Sequence, residues 1–141
     1  MTFETVIKNF TTRGLRIEDI TRYLDAGNDI HHRDTKMGWT LLHFAAEDCN
    51  PDAIRLLITR GADPNIKENT GRTPLHFAVD SDLDTSIQAG RRATDMPTTR
   101  ALIELGADES ARTTDNATPR DIAVNYGAAT LYDSLFRHPA A

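Results

Sequence analysis

Two adjacent histidines, His31 and His32, stand between Asp29 and Asp34, and all four residues are of types that bind metals. Adjacent side chains on an extended chain point to opposite faces, so these two histidines seldom bind the same ion. The sequence also holds no Cys-x-x-Cys or His-x-x-x-His pair that would complete a site. The pattern therefore predicts a structural contact in a turn, and neither a metal nor a cofactor is expected.

A second pattern places aspartate at alternate positions, Asp80, Asp82 and Asp84, as at the start of a calcium-binding loop. Such a loop needs glycine at its sixth place and a bidentate glutamate at its twelfth, because the chain must turn sharply and close around the ion. Thr85 and Arg91 occupy those places here. The pattern therefore excludes this calcium loop and predicts an acidic segment exposed to solvent.

Cys49 is the single cysteine, so an internal disulfide is impossible and the thiol has to be considered as a nucleophile. It lies in the segment EDCNPD, whose carboxylates disfavour the thiolate that a nucleophilic cysteine requires. No G-x-S-x-G, P-loop or G-x-G-x-x-G pattern occurs elsewhere in the sequence. We therefore interpret Cys49 as structural and expect no catalytic residues and no enzyme activity.

Two further histidines, His43 and His76, recur within nearly the same peptide. The stretch GWTLLHFAAE begins at Gly38, and GRTPLHFAVD begins at Gly71, which is 33 residues later. Both stretches carry Gly, Thr, Leu, His, Phe and Ala at equivalent places. A match of this extent at a fixed offset predicts one structural unit built twice, rather than a paired catalytic site.

The repeated unit has the pattern of two short helices. Thr40 and Thr73 suit the N-cap of the first helix, and Pro74 suits its first position, where a missing N–H has no cost. An apolar run at helical spacing ends in Gly-Ala-Asp at Gly61 and again at Gly106, as expected where a glycine ends a helix in the left-handed conformation. Neither helix covers its own apolar stripe, so neighbouring units must stack.

A 33-residue period with a T-P-L-H-x-A pattern resembles the ankyrin repeat, and the resemblance extends over nearly the whole chain. It implies an all-α fold, namely an α-solenoid of stacked helix-turn-helix units joined by β-hairpin-like loops. It implies a single domain of four units, of which the first and last are degenerate caps, at about residues 1–34, 35–67, 68–112 and 113–138.

The same resemblance assigns roles to three of the histidines. In ankyrin repeats the histidine of this pattern typically holds the hairpin loops together by hydrogen bonds, which implies that role for His43 and His76. His31 stands where the family usually has asparagine, which favours the turn contact over a metal site.

The third unit is longer than the second. Gly61 and Gly106 are 45 residues apart rather than 33, and the match to the second unit resumes only at TTRALIELGAD. About twelve extra residues therefore lie between the two helices of this unit, near residues 81–96. Their polar composition predicts a surface loop, with room for a short helical turn around TSIQAGRRA. The sequence does not distinguish a loop that contacts a partner from an insertion that is merely tolerated.

Composition limits the classes of partner. Of the 141 residues 39% are apolar and 26% charged, and the formal net charge is −5, which is ordinary for a soluble globular protein. An acidic chain is poorly suited to nucleic acid, which needs a basic face, and better suited to a basic protein. Because no apolar stretch reaches the length of a signal peptide core or a membrane span, we expect a cytoplasmic protein without membrane contact.

Ankyrin arrays typically bind other proteins through a concave side formed by loop tips and first helices, and the resemblance carries this role to the matching positions here. At the tips these positions are Lys36, Met37, Trp39, Asn69, Thr70 and Arg72. On the first helices and the insertion they are Glu47, Asp48, Asp80, Ser81, Asp82, Arg91, Arg92, Asn125 and Tyr126. Trp39, the only tryptophan, is the strongest candidate because tryptophan is enriched at binding hot spots.

The resemblance therefore implies a non-enzymatic module that binds a protein and is a monomer when free. A narrower hypothesis is an acidic inhibitor of a basic toxin or nuclease, such as a bacterial immunity protein. The alternative is a structural or regulatory scaffold subunit that associates with copies of itself.

Overall fold

The regular structure of the protein consists of helices. The computed structural model describes residues 1–136, and within that range it contains eight α-helices and no strand. The helices are α1 Phe3–Arg13, α2 Ile17–Asp25, α3 Leu41–Glu47, α4 Pro51–Thr59, α5 Pro74–Gln88, α6 Pro97–Glu104, α7 Pro119–Asn125 and α8 Ala129–Ser134. None of these helices is long and apolar enough to cross a membrane. The predicted all-α class is thereby confirmed.

Consecutive helices form pairs, and the pairs stack side by side. α3 packs on α4, α5 on α6 and α7 on α8, with α1 and α2 forming the first pair. Between pairs, α3 contacts α5 and α5 contacts α7, while α2 contacts α4 and α4 contacts α6. The first helices therefore form one layer and the second helices another, which is the arrangement of an α-solenoid.

The helices begin where local chemistry directs them to begin. The Asn50 side chain accepts a hydrogen bond of 3.1 Å from the Ala53 N–H at the start of α4. Thr118 and Asp121 exchange side-chain and backbone hydrogen bonds at the start of α7, which forms a capping box. Proline occupies the first position of four helices, at Pro51, Pro74, Pro97 and Pro119.

One apolar cluster runs through the first three pairs. Leu42 of α3, Ile54 of α4 and Leu75 of α5 are fully buried within it, and Leu42 and Leu75 occupy matching places in successive units. Burying a leucine or isoleucine side chain stabilises a fold by about 1.5–3 kcal/mol. Because each flank is covered by the next pair, stacking and folding are the same process here.

The long third unit differs from the predicted surface loop. α5 continues through residue 88, and only residues 89–96 lie outside regular helix before α6. Leu83 and Met96 are buried in a second apolar cluster with Val79, Ala123 and Tyr132. The physical reason is that Leu83 lies one helical turn after Val79, so that it extends the same apolar stripe. The exact borders of the units stay predictions.

Asp82 of this segment is buried, with 5% of its surface exposed. Its carboxylate accepts hydrogen bonds of 2.9 Å from both the N–H and the hydroxyl of Thr99, in the first turn of α6. Met96, at the N-cap of α6, provides no side-chain acceptor, so Asp82 replaces the missing cap from a neighbouring helix. Burial raises the pKa of Asp82, and the bonds from Thr99 act in the opposite direction.

The buried carboxylate leads to a stability prediction. Replacing Asp82 with alanine leaves the Thr99 N–H and hydroxyl without their acceptor, and we expect a loss of about 2 kcal/mol in the free energy of unfolding. Urea unfolding followed by circular dichroism measures the change. Asp84→Ala, two residues along the same helix and partly exposed, is the matched control and should change stability by less than about 0.5 kcal/mol. Equal effects of the two substitutions contradict the capping role.

Candidate protein-binding surface

The loops between units share one construction. Each is closed by a backbone hydrogen bond, from Asp34 N–H to Trp39 C=O, from Glu68 N–H to Arg72 C=O and from Thr113 N–H to Ala117 C=O. Within each loop the side chain of the first residue also accepts the N–H of the residue after the turn, at distances of 2.8–3.1 Å. The loops are therefore internally held hairpins, although no strand is formed within residues 1–136.

Neighbouring loops are joined through their backbones. The Asn69 N–H donates to the Met37 C=O at 3.0 Å, and the Thr114 N–H donates to the Thr70 C=O at 2.9 Å. Gly71 has φ +80°, and a Cβ at this position would lie 3.0 Å from the Thr114 nitrogen. The tips thus form one continuous edge, and the backbone at Gly71 has no room for a side chain.

His43 and His76 join each first helix to the following loop. The Thr40 N–H donates to His43 Nδ1 at 3.1 Å, so the proton resides on Nε2, which donates to the Arg72 C=O at 3.1 Å. In the next unit the Thr73 N–H donates to His76 Nδ1 at 3.1 Å, and His76 Nε2 donates to the Ala117 C=O at 2.9 Å. Both rings are fully buried, and this geometry requires the neutral imidazole.

The protonation state of these rings follows from burial. Burial lowers the pKa of His43 to about 4, and the bond to the Arg72 carbonyl only partly opposes this shift. Burial likewise lowers the pKa of His76. A protonated ring would have no acceptor for the N–H of the preceding threonine, so the neutral form is tied to the folded state.

His31 occupies a matching place at the base of the loops. Its Nε2 accepts from the Asp63 N–H at 3.0 Å, and Asn65 Oδ1 accepts from the Asp108 N–H at 2.6 Å one unit later. The His31 N–H itself donates to the Asp29 carboxylate at 2.9 Å. His31 and Asn65 therefore make equivalent contacts between units. Over residues 1–136 no cluster of three or more His, Cys, Asp or Glu side chains is placed to hold a metal ion.

Trp39 is less exposed to solvent than the tip residues Lys36 and Met37. Its ring is half-buried and packs against Phe44 and Phe77, at centroid distances of 5.1 Å and 4.7 Å. The Arg72 guanidinium covers the Phe77 ring at 4.6 Å. The Trp39 indole N–H is buried and has no hydrogen-bond partner in the described range. The Trp39 ring therefore packs against aromatic residues of its own chain. Its contact with a partner stays a prediction.

Three carboxylates lie along the layer of first helices, and we call Glu47, Asp80 and Asp84 the acidic strip. The Ser81 hydroxyl donates to Glu47 at 3.2 Å, which joins α3 to α5. The Tyr126 hydroxyl donates to Asp80 at 2.7 Å, which joins α5 to the end of α7. Burial and the bond to Asp80 hold the pKa of Tyr126 well above its usual range, so this hydroxyl stays a donor.

The other predicted surface residues separate into two groups. Asp82 is buried on Thr99 and presents no charge to a partner, which corrects the prediction for this residue. Asp48 is half-buried and accepts the Leu15 N–H at 3.0 Å, while Ser81 is buried. The residues that remain exposed are Lys36, Met37, Asn69, Thr70, Arg91, Arg92 and Asn125.

Two residues that build the loops, Glu68 and Arg33, were not predicted from the sequence. Glu68 accepts the N–H groups of Thr70 and Arg72 at 2.8 and 2.9 Å. Arg33 donates to the Gly38 carbonyl at 3.1 Å and to the Lys67 carbonyl at 2.6 Å, which bridges two loops. A detectable signal was present, because an acidic residue precedes the tip glycine by three or four places in both loops.

A stack of helix pairs with joined loop tips and a polar row on its first helices defines the class of helical repeat proteins that offer an extended surface to other proteins. Residues 13–89 match the family described as "Ankyrin repeats (3 copies)". The chain belongs to the ankyrin-repeat family. Ankyrin repeats generally serve as non-enzymatic protein–protein interaction modules, so the coarse predictions of family and class are confirmed.

Curated relatives match over most of the chain. Neurogenic locus notch homolog protein 1 of Homo sapiens is 32% identical over 123 residues, which are 86% of this chain. The Xenopus laevis protein of that name is 31% identical over 118 residues, or 82% of the chain, and the Neurogenic locus Notch protein of Drosophila melanogaster is 44% identical over 63 residues, or 45%. The matched region spans only 4%, 4% and 2% of these relatives.

The buried histidines predict a dependence of stability on pH. Because the pKa of His43 falls to about 4 in the folded state, the stability that the neutral ring contributes is complete above about pH 6.5 and is lost as the pH drops toward 4. We expect the difference in unfolding free energy between the wild type and His43→Gln to narrow by about 2 kcal/mol between pH 7 and pH 5.

Urea titrations at several pH values measure this difference. His32→Gln, which replaces an exposed ring, is the control, and its difference from the wild type should stay nearly constant over the same range. A difference for His43→Gln that does not change with pH contradicts the neutral-ring assignment.

Proposed function

We propose that this chain binds a basic protein partner through the exposed loop tips and the acidic strip. The observation that carries the proposal is the position of the strip carboxylates on two neighbouring first helices, α3 and α5, where hydrogen bonds from adjacent units hold Glu47 and Asp80. Asp80 is held by Tyr126 from one side and lies 3.7 Å from the Arg72 guanidinium on the other. Glu47 is held by Ser81. Side chains that are ordered before binding lose little entropy when a partner arrives.

The sign of the strip supports a basic partner. Asp48 and Asp82, which the sequence also suggested, accept hydrogen bonds from backbone N–H groups of other segments, so the strip consists of Glu47, Asp80 and Asp84, and the Asp80 charge is shared with Arg72. A row of like charges on one face of an acidic protein attracts a basic surface and accelerates encounter. Such a row contributes more to the association rate and to specificity than to affinity.

The loop tips supply the apolar part of the surface. Met37 has 43% of its surface exposed at a tip, and its neighbour Asn69 is fixed to it through the backbone. Beneath them, the half-buried Trp39 ring and the pair of Arg72 and Phe77 form a firm support. A flexible methionine beside polar tips adapts to different partner shapes. We propose that this edge provides the apolar contact and the strip provides orientation.

A narrower form of this proposal is inhibition. In that form the partner is a basic toxin or nuclease, and the surface of this chain covers its active site. An acidic surface that mimics the charge of a nucleic acid phosphate row suits such a target. On this view the chain acts in the cytoplasm, where it meets its partner. The deciding measurement is the activity of the captured partner with and without a molar excess of the chain.

Reversal of the strip tests the proposal. Replacing Glu47, Asp80 and Asp84 together with lysine should abolish capture of basic proteins from a host lysate by the immobilised chain, as identified by mass spectrometry. For a captured protein, surface plasmon resonance at low salt should show an association rate constant lower by about tenfold or more. The dependence of that rate on ionic strength should also weaken.

A matched triple variant controls for net charge. Asp52, Glu104 and Glu109 are exposed residues on the second helices and an outer loop, and their replacement with lysine changes the charge by the same amount. This control should capture the same proteins as the wild type. If the strip variant captures them at an unchanged rate, or if the control loses them equally, the strip is not the binding surface.

The molecular mass of the purified chain in solution distinguishes the proposed function from a scaffold that associates with copies of itself. We expect the purified chain to elute as a monomer of 15.7 kDa in size-exclusion chromatography with light scattering, over about a hundredfold range of concentration. A dimer or larger species that dissociates on dilution favours the scaffold instead.

A further inference from the structure

A cleft lies at the end of α5, and its charged side chains are basic, in contrast to those of the acidic strip. It has a volume of about 330 Å³ and opens between the last turn of α5, the loop of residues 89–96 and the turn from α7 to α8. Its wall residues include Leu83, Ile87, Arg91, Arg92, Tyr126 and Leu131. The extra residues of the third unit build one whole side, so a regular ankyrin unit has no counterpart of this cleft.

The floor of the cleft is apolar and incompletely covered. Leu83 is buried, but Ile87, one turn further along the same face of α5, has 57% of its surface exposed. Leu131 of α8 and Ala93 of the loop complete the floor and are half-buried beside the second apolar cluster. An isoleucine exposed beside a buried apolar cluster provides a surface that an apolar side chain of a ligand covers favourably.

The rim of the cleft is cationic. Among the described residues that line it, Arg91 and Arg92 are the charged ones, and none is a carboxylate. Neither guanidinium takes part in an ion pair within residues 1–136. Two carboxylates of the same segment have other partners, because Asp95 pairs with Arg100 and Asp84 accepts from Gln88.

These observations together select a ligand. We propose that the cleft binds an acidic peptide segment of a partner protein, with an apolar side chain against Ile87 and carboxylates paired with Arg91 and Arg92. Guanidinium groups bind carboxylates through two parallel hydrogen bonds, and two unpaired arginines beside an apolar floor match that arrangement. The opposite sign makes this surface independent of the acidic strip.

A peptide fits the cleft better than a nucleic acid does. A nucleic acid strand also carries negative charge, but it needs a long basic track and flat rings on which its bases stack. Within residues 1–136 the cleft is lined by two cations and by one aromatic side chain, that of Tyr126, whose hydroxyl is fixed on Asp80.

A selection followed by binding measurements tests this assignment. Random twelve-residue peptides displayed on phage are selected on the full-length wild-type chain and depleted on the double variant Arg91→Glu/Arg92→Glu. Recovered peptides should carry at least two carboxylates next to an apolar residue. Fluorescence anisotropy with the synthetic peptides should show binding at least tenfold weaker for the double variant and also for Ile87→Asp.

The control variant has the same net charge as Arg91→Glu/Arg92→Glu, but its two substitutions lie far from the cleft in the sequence. Arg16→Glu/Arg22→Glu changes two exposed arginines of the first helix pair, and it should bind the peptides within twofold of the wild type. Circular dichroism verifies that every variant is folded, and a variant that is unfolded is replaced by Arg91→Gln/Arg92→Gln. A single-stranded twelve-residue oligothymidine should not compete with the peptides.

Several outcomes overturn the proposal. These are recovered peptides that lack carboxylates, equal binding to the wild type and the arginine variants, or displacement by the oligothymidine. The single variant Glu47→Lys distinguishes the two surfaces, because Glu47 lies on α3 and outside the cleft lining. It should keep peptide binding while capturing basic partners more slowly, so failure of either surface is observed separately from failure of the other.

Discussion

The constraint on which this structure depends is that no helix pair covers its own apolar flank. Leu42, Leu75 and Ile54 are buried only because the next pair lies against them. Burial alone, however, would allow pairs to slide, since apolar contact has no direction. The hydrogen bonds from His43 and His76 to the following loop are directional, and they set the position of each pair relative to the next.

This division between non-directional burial and directional bonds also shapes the binding surface. The loop tips are joined backbone to backbone, at Met37 with Asn69 and at Thr70 with Thr114, so they behave as one edge. Two of the strip carboxylates, Glu47 and Asp80, are likewise held by hydroxyl groups from neighbouring units. A surface assembled from contacts between units is as rigid as the stack itself, which limits the entropy lost on binding.

In the third unit the buried carboxylate of Asp82 connects the extra residues to the rest of the fold. Asp82 caps α6 from α5, and this bond lets α5 continue past the usual length while α6 still begins in its place. Leu83 and Met96 then become core for the last unit. The remaining residues, with Ile87 exposed and two arginines that form no ion pair within the described part of the chain, line a cleft that a regular unit does not have.

The sequence by itself determined what depends on residues close to one another along the chain. The period of 33 residues, the N-cap threonines with their prolines, and the matching histidines indicated the helix pairs, their order and the family. Only the tertiary structure decided that Asp82 is buried, that Trp39 packs on Phe44 and Phe77, and that Arg91 and Arg92 form no ion pair with another residue of the range 1–136. The reason is physical: capping and helical periodicity act within a few residues, whereas burial and charge pairing depend on which distant segments come together.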